Sequence, residues 1–331
     1  MTLVIKIGGA RGVEMERITR EVAALVQSGQ SVVLVHGGSD LTTTLAQRVG
    51  HPVHMITAPN GMTSRYTDAE TLELYTMAVA GQLNTSLVAQ LQQQGVNALG
   101  LSGVDGRLLV ARRKAVVRSV TPEGRTVLLR DDYTGQIEQV NIALLSQLLS
   151  TGYTPVIAPL ALSFEGERLN VDGDRAAAAI ASALHAEALV LMTNVPGLLS
   201  NIEDEQSRIA HIPASHLEDY MKYAQGRMRK KLLGAREALQ GGVTRVCIGN
   251  ATLQEVLHGA GTTICNDEAR HIEPRRGRNC IAPHVSDDAP RVSDDAHCSP
   301  TTHVIGDAGR NTIAAPTPFE NNSSLYERSA R

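Results

Sequence analysis

An α/β fold built around a mainly parallel sheet is predicted by three features of the sequence. Six short apolar runs, at residues 3–7, 31–36, 96–101, 154–158, 188–192 and 244–248, have the length and near-continuous apolar character of buried parallel strands. Helical stretches at 14–27, 41–48, 69–93, 141–150 and 175–184, with apolar residues three and four apart, separate most of them. Glycine pairs close the first two runs, where strand turns into helix. The pattern is repeated βαβ.

The first run ends in KIGGA, with Lys6 inside the strand and Gly8 and Gly9 at its carboxyl end. Glycines there permit close backbone approach, and amides at the next helix start can face an anion while Lys6 supplies a full charge. A simple turn reads the same way, and no GKS or GKT spacing makes this a P-loop. The second run ends in LVHGGSD, with Gly37 and Gly38. Two such turns put amide-lined helix starts on one rim of a parallel sheet, the rim at which open α/β folds bind ligands, although two ordinary βα turns would look alike.

The stretch 69–93 carries an apolar stripe on Leu72, Val79, Leu83, Leu87 and Leu91 and starts behind Thr67 or Asp68 as N-cap. Arg65, just ahead of that cap, is suited to a bidentate grip on a carboxylate or to a solvated loop. Between residues 107 and 138 the pattern shortens to LLVARRK, VVRSV and TVLLR, joined by DG, TPEG and DYTG turns. That is an inserted patch of antiparallel hairpins, with Arg112, Arg113, Lys114 and Arg118 as a local cation cluster.

Further on, LNVDGDRAAAAIASAL sets Asn170, Asp172 and Asp174 at the start of a small-residue helix. Carboxylates at that position cap the backbone or orient cationic groups and a substrate. The run 188–192 leads into TNVPGLL, and AQGRMRKKLLGA packs Arg227, Arg229, Lys230 and Lys231 into little more than one turn. So many cations in a near-neutral chain point to a phosphate partner or to an exposed basic helix.

Composition removes several classes of function. The 331 residues carry 31 Lys or Arg against 34 Asp or Glu, a formal charge of −3, which disfavours a nucleic-acid or membrane field. The absence of Trp and the two Phe disfavour base stacking. No apolar run approaches the roughly 18 residues of a membrane helix, and the chain opens on a strand in place of a signal segment, so a cytoplasmic protein is expected. The four cysteines form no CxxC pair and no disulfide framework, and no compact metal-ligand spacing is found. That includes His271, His284, His297 and His303, which lie near cysteines after residue 264, where periodicity fades. Residues 265–331, with the near-repeat VSDDAPR then VSDDAHC, are expected to form a disordered low-complexity tail.

Taken in order and spacing, KIGG, VHGGS, SRYTD with GQLN, SGVDGRL, LNVDGD, NVPGLL and GRMRKK resemble the amino acid kinase family, in its acetylglutamate kinase branch, from residue 1 to about 263. ARRK, DDYTG, TNVPGLL and QGRMRKK are most similar to the LysW-aminoadipate kinase group of that branch, as is Asn194 where ordinary acylglutamate kinases carry Asp. The resemblance implies a three-layer αβα sandwich. Residues 1–165 would form the substrate-binding and dimerising half of a homodimer, and residues 166–264 the ATP-binding half. ATP with Mg²⁺ would phosphorylate a side-chain carboxylate to an acyl phosphate. By position, Lys6 and Lys231 would neutralise the transferring phosphoryl group and Asp174 would hold the two lysines. Gly8, Gly9, Gly37 and Gly38 would offer amides to phosphate oxygens, Arg65 and Asn170 would bind the acceptor, and Asn194, Val195, Pro196, Gly197 and Leu198 would lie along the nucleotide.

In that group the acceptor is 2-aminoadipate joined to a small acidic carrier protein, LysW, which Arg112, Arg113, Lys114 and Arg118 would meet through complementary charge. N-acetylglutamate kinase, a kinase serving both acceptors, or a non-catalytic nucleotide or amino-acid sensor on the same fold are the alternatives. Retention of Lys6, Asp174 and Lys231 together speaks against a sensor.

Overall fold

Eight strands form the central sheet, in the spatial order His211–Pro213, Thr262–Cys265, Arg245–Gly249, Ala188–Met192, Thr2–Ile7, Ser31–His36, Thr154–Ala158, Ala98–Ser102. The computed structural model describes residues 2–266. All pairings are parallel except that of Arg245–Gly249 with Thr262–Cys265. Thr2–Ile7 lies at the middle, paired on one side with Ser31–His36 and on the other with Ala188–Met192, so the sheet runs unbroken past residue 165.

Period-two alternation of buried side chains divides the core into two faces. Leu3, Ile5, Ile7, Val32, Leu34 and Val190 pack against the helices Met15–Gln27, Asn84–Gln93 and Leu253–Leu257. Val4, Val33, Val35, Leu189, Leu191 and Ile248 face the helices Ile142–Ser150, Gly173–Ala183 and Gly226–Gln240. Both faces are covered, as the near-continuous apolar runs require. This is the three-layer αβα sandwich.

The 107–138 patch resolves into two pairings. Leu109–Arg113 pairs with Gly135–Val140 inside a four-stranded sheet completed by Leu160–Leu162 and Arg168–Asn170, and Val117–Val120 pairs with Thr126–Leu129 as a separate hairpin. A further hairpin, Met55–Thr57 with Thr63–Arg65, goes beyond the sequence reading, because three-residue strands are too short to show a period. The helical stretch 69–93 is continuous but changes type, with a π-helical segment Met77–Leu83 between Ala69–Thr76 and Asn84–Gln93. Asp68 supplies its N-cap, accepting from the Thr71 amide at 2.8 Å.

The final strand carries ordered structure to Cys265, so the body ends slightly later than the sequence boundary at 264. From residue 267 on, the expected low-complexity tail, its histidines, Cys280 and Cys298 lie outside the described residues. Cys247 and Cys265 are both buried. Among the described residues no helix is long and apolar enough to cross a membrane.

Candidate active site

A cleft of about 1110 Å³ opens where the strands Thr2–Ile7, Ser31–His36 and Ala188–Met192 end and helices begin. Strand parity sets what lies there. Lys6 falls on the same face as Val4, the face covered by Gly173–Ala183 and Gly226–Gln240, and it is the last residue of that parity before the strand ends.

Asp174, in the first turn of Gly173–Ala183, meets it at 2.7 Å from Lys6 Nζ to Oδ1. From the other side Lys231 Nζ lies 3.1 Å from both carboxylate oxygens. The two helices can supply both groups because they approach closely. Ala177, Ala178 and Ala181 are fully buried, and a Cβ on Gly234 would come within 3.3 Å of the Asp174 carbonyl oxygen. Asp172 caps the first helix, accepting from the amides of Asp174 at 3.0 Å and Arg175 at 3.2 Å, and this fixes the turn that carries Asp174. Lys230 stands 3.9 Å from Asp172.

The three charged groups are each no more than 6 % exposed. Burial alone would raise the Asp174 carboxyl, but Lys6 and Lys231 outweigh it and hold that carboxyl well below the usual carboxylate range. Lys231 is pushed down to about 8, first by burial and then by the like charge of Lys6, against the pull of Asp174. One carboxylate therefore faces two ammonium groups, and the cluster keeps an excess positive charge beside the cleft.

The four glycines divide into two kinds. Gly8 donates its N–H to the Met192 carbonyl at 3.0 Å and Gly37 donates to Ile7 at 2.9 Å, so these amides continue the sheet ladder. The expectation that all four amides face phosphate is corrected for this pair. Gly9 and Gly38 donate to nothing among the described residues. Their turns interlock so tightly that a Cβ on Gly9 would lie 2.3 Å from the Gly38 nitrogen, and one on Gly38 would lie 2.3 Å from a Val79 methyl. Only glycine fits at either position.

Arg65 ends its hairpin on the cleft wall, where Nη2 donates to the Ser39 carbonyl at 2.9 Å and to Thr43 Oγ1 at 3.2 Å. Its Nη1 is buried with no partner among the described residues, a deficit of about 1–3 kcal/mol. Asn170 lies on the same wall, with Nδ2 donating to Thr67 Oγ1 at 3.0 Å. Asp132, 1 % exposed, ties this region together by accepting from the Thr67 amide at 3.0 Å and from the Thr134 amide at 2.8 Å. It is the buried carboxylate of the DDYTG segment, whose turn-like composition disguised it.

Asn194, Val195, Gly197 and Leu198 line the cleft and Pro196 does not. Gly197 has φ of 149°, and the Leu198 amide donates to Thr262 Oγ1 at 2.8 Å, so that loop is held from behind. Of the basic hairpin residues, Lys114 reaches the cleft wall. Arg112 pairs with Glu138 at 2.7 Å. Arg113 is built into the fold: it pairs with Glu167 at 2.8 Å and stacks over the Tyr133 ring at 3.8 Å. Lys114 and Arg118 have no ion pair among the described residues. Arg227 and Lys230 of the GRMRKK segment also line the cleft, whereas Arg229 does not, so the segment is a site wall more than a solvated helix face.

A model described as the amino acid kinase family matches residues 1–250. The chain is 48 % identical over 266 residues to LysW-aminoadipate kinase of Deinococcus radiodurans, covering 79 % of this chain and 91 % of that one. It is 47 % identical over 268 residues to LysW-aminoadipate kinase of Thermus thermophilus, covering 79 % and 99 %. Among solved structures it is similar to N-acetylglutamate synthase from Neisseria gonorrhoeae complexed with coenzyme A and N-acetyl-glutamate, with a TM-score of 0.65 at 28 % identity. That match covers 80 % of this chain and 59 % of the longer synthase chain. Matched along most of its length by the family and by relatives near half identical, this chain belongs to the amino acid kinase family.

Proposed function

We propose that this chain is an ATP-dependent kinase that phosphorylates the side-chain carboxylate of 2-aminoadipate, held by its amine on the C-terminal glutamate of a small acidic LysW-type carrier, to an acyl phosphate. The observation that carries the phosphoryl-transfer reading is the buried Lys6–Asp174–Lys231 cluster beside two glycine amides without a partner among the described residues. The acceptor reading is supported by relatives named for LysW-aminoadipate.

A carboxylate acceptor is already ionised at pH 7, so no residue has to remove a proton. One carboxylate oxygen forms the new bond to the γ-phosphorus while the bond to the β,γ-bridging oxygen breaks, and ADP leaves. Two anions must be brought within about 3–3.5 Å, so positioning and charge neutralisation are the work of the protein. Lys6 and Lys231 would supply the neutralising charge, and Asp174 would prevent the two ammonium groups from separating. The Gly9 and Gly38 amides would receive phosphate oxygens, and the Arg65 guanidinium would meet an acceptor carboxylate beside Asn170. The segment from Asn194 to Leu198 would lie along the nucleotide. In this arrangement residues 1–165 hold most of the acceptor, with Asn170 reaching it from beyond that boundary, and residues 166–264 hold most of the nucleotide, with Lys6 and the Gly9 and Gly38 amides reaching its phosphates.

Among the described residues no three His, Cys, Asp or Glu side chains gather as a metal site, and Asp174 is committed to two lysines. Mg²⁺ would arrive on the nucleotide phosphates, where it adds charge neutralisation. Lys114 and Arg118, without ion pairs among the described residues, are the cations available to an acidic carrier.

Hydroxylamine trapping of the acyl phosphate tests the acceptor. Carrier-linked aminoadipate is expected to exceed free N-acetylglutamate by more than tenfold in kcat/KM, in line with the ~10–200-fold that a methylene alone can supply. A reversed preference would move the proposal to N-acetylglutamate. In the same assay at low salt, Arg118→Glu is expected to lower kcat/KM for the carrier substrate several-fold with kcat unchanged, and an unchanged kcat/KM would remove the docking patch.

The lowered Lys231 ammonium has a kinetic consequence with a definite sign. As pH rises through about 8 the free protein loses this positive charge, so kcat/KM for ATP is expected to fall along an alkaline limb there. Bound nucleotide phosphates favour the charged form, which moves the limb of kcat to higher pH. Coincident limbs in the two profiles would show that Lys231 is not the titrating group.

A further inference from the structure

The glycine turn at the end of Ser31–His36 is backed by two polar side chains that the scheme above does not use. His36 is fully buried and Asn84 is 5 % exposed. Asn84 Nδ2 lies 2.9 Å from the Val156 carbonyl oxygen and 3.1 Å from His36 Nε2. Backbone carbonyls can only accept, so the amide nitrogen of Asn84 is the atom facing these partners; one hydrogen goes to Val156, and the other meets His36 Nε2, which is nearer than the Leu101 carbonyl at 3.5 Å and must accept. His36 then carries its proton on Nδ1. That nitrogen stands 3.2 Å from the carbonyl oxygen of Gly37, to which it donates.

Peptide planarity converts this contact into an orientation. With the Gly37 carbonyl held toward the buried imidazole, the N–H of the same trans peptide, that of Gly38, is turned the opposite way. This is the amide with no partner among the described residues, and Gly38 lines the cleft. Burial keeps His36 neutral, its pKa lowered to about 4, which spares the cleft a third cation near Lys6.

The π-helical segment explains how Asn84 comes to be there. In a regular helix the apolar stripe would bury Leu83, but after Met77–Leu83 it is Asn84 that is buried while Leu83 is only partly covered. The same segment presses Val79 onto Gly38, so one irregular stretch of helix supplies both the polar lock and the apolar wall of the turn.

We infer that His36 and Asn84 are a positioning pair that fixes the Gly37–Gly38 peptide with its amide turned to the phosphoryl-transfer site. Its kinetic meaning rests on the kinase reading above, but its geometry does not. Nitrogen-15 NMR of the histidine-labelled full chain is therefore the first test. A protonated, pyrrole-type Nδ1 and an unprotonated Nε2 are expected for His36, and the opposite tautomer would overturn the pair whether or not the protein is a kinase.

Asn84→Asp is the second test. A carboxylate at 84 cannot donate to His36 Nε2, so that nitrogen takes a proton: His36 either turns to the Nε2–H tautomer and faces the Gly37 carbonyl with a lone pair, or becomes a buried cation near Lys6, and nitrogen-15 NMR of the variant tells the two apart. Acyl-phosphate formation is expected to lose about 10–100-fold in kcat, with KM for ATP changed less than threefold. His36→Asn, whose amide nitrogen falls near the position of Nδ1, is expected to keep kcat within about tenfold of the parent, while His36→Leu loses as much as Asn84→Asp. Thermal midpoints recorded for all three separate misfolding from mispositioning. A folded His36→Leu protein with the parent kcat would overturn the inference, and absence of acyl phosphate from the unaltered protein would instead remove the kinase reading and leave the tautomer result standing.

Discussion

Replacing Lys231 with Met is expected to lower kcat for acyl-phosphate formation about 10²–10³-fold, roughly 2.7–4 kcal/mol of barrier, with a smaller change in KM for ATP. The ammonium group is 3.1 Å from Asp174 in a site almost closed to solvent, where a fixed charge acts with little screening. Methionine fills nearly the same volume without charge. Asp174 keeps its 2.7 Å partner Lys6, so the fold is expected to survive and the loss to be kinetic. Lys231→Arg is not expected to restore the rate, because a planar guanidinium cannot occupy a pocket built for a compact ammonium beside Lys6. Single-turnover trapping with hydroxylamine and a thermal melt of each variant decide the matter. A Met variant that turns over like the parent would remove Lys231 from the chemistry.

Asp174→Asn is expected to be costly in both stability and rate. The carboxylate is the counter-charge for two buried ammonium groups, and removing one partner of a buried ion cluster typically costs about 3–5 kcal/mol because the remaining charges stay desolvated. In a domain of this size that corresponds to a fall in Tm on the order of 10 °C. The amide keeps the shape but leaves Lys6 and Lys231 repelling each other, so Lys231 gives up its proton at lower pH than in the parent. The alkaline limb of kcat/KM for ATP should move to lower pH accordingly, and saturating Mg-ATP should recover part of the lost Tm, since nucleotide phosphates replace the missing negative charge. Thermal melts with and without Mg-ATP measure the stability effect, and the pH profile of kcat/KM for ATP measures the shift of the limb. An Asn variant as stable as the parent would mean that the cluster is not held by its charges.

Much of the sheet was legible because parallel strands covered on both faces need unbroken apolar runs. The strands Ser31–His36, Thr154–Ala158 and Ala188–Met192 fall at the expected residues. Edge strands such as His211–Pro213 and the three-residue hairpin strands were not, since so few residues carry no period. Within the cleft, the charged members were readable from residue type at strand ends and helix starts. The distinction between Gly8 or Gly37 and Gly9 or Gly38 was not, because it depends on which amide finds a carbonyl across the sheet. Arg113 is a similar case: as part of an ARRK string it looked like a surface cation, yet Glu167 and Tyr133, far away in sequence or hidden in a turn, make it structural.

By itself, then, the amino-acid order determined the layered α/β plan, the glycine turns on one rim and the types of charge near them, because strand burial, turn chemistry and local charge are encoded over short distances. Only the tertiary structure decided that Lys6 and Lys231, 225 positions apart in numbering, share one carboxylate, that Asp132 is an internal tie, and that Asn84 reaches His36 through a change of helix type. Those are outcomes of helix approach and peptide orientation, which depend on packing between distant segments and leave no periodic trace in the chain.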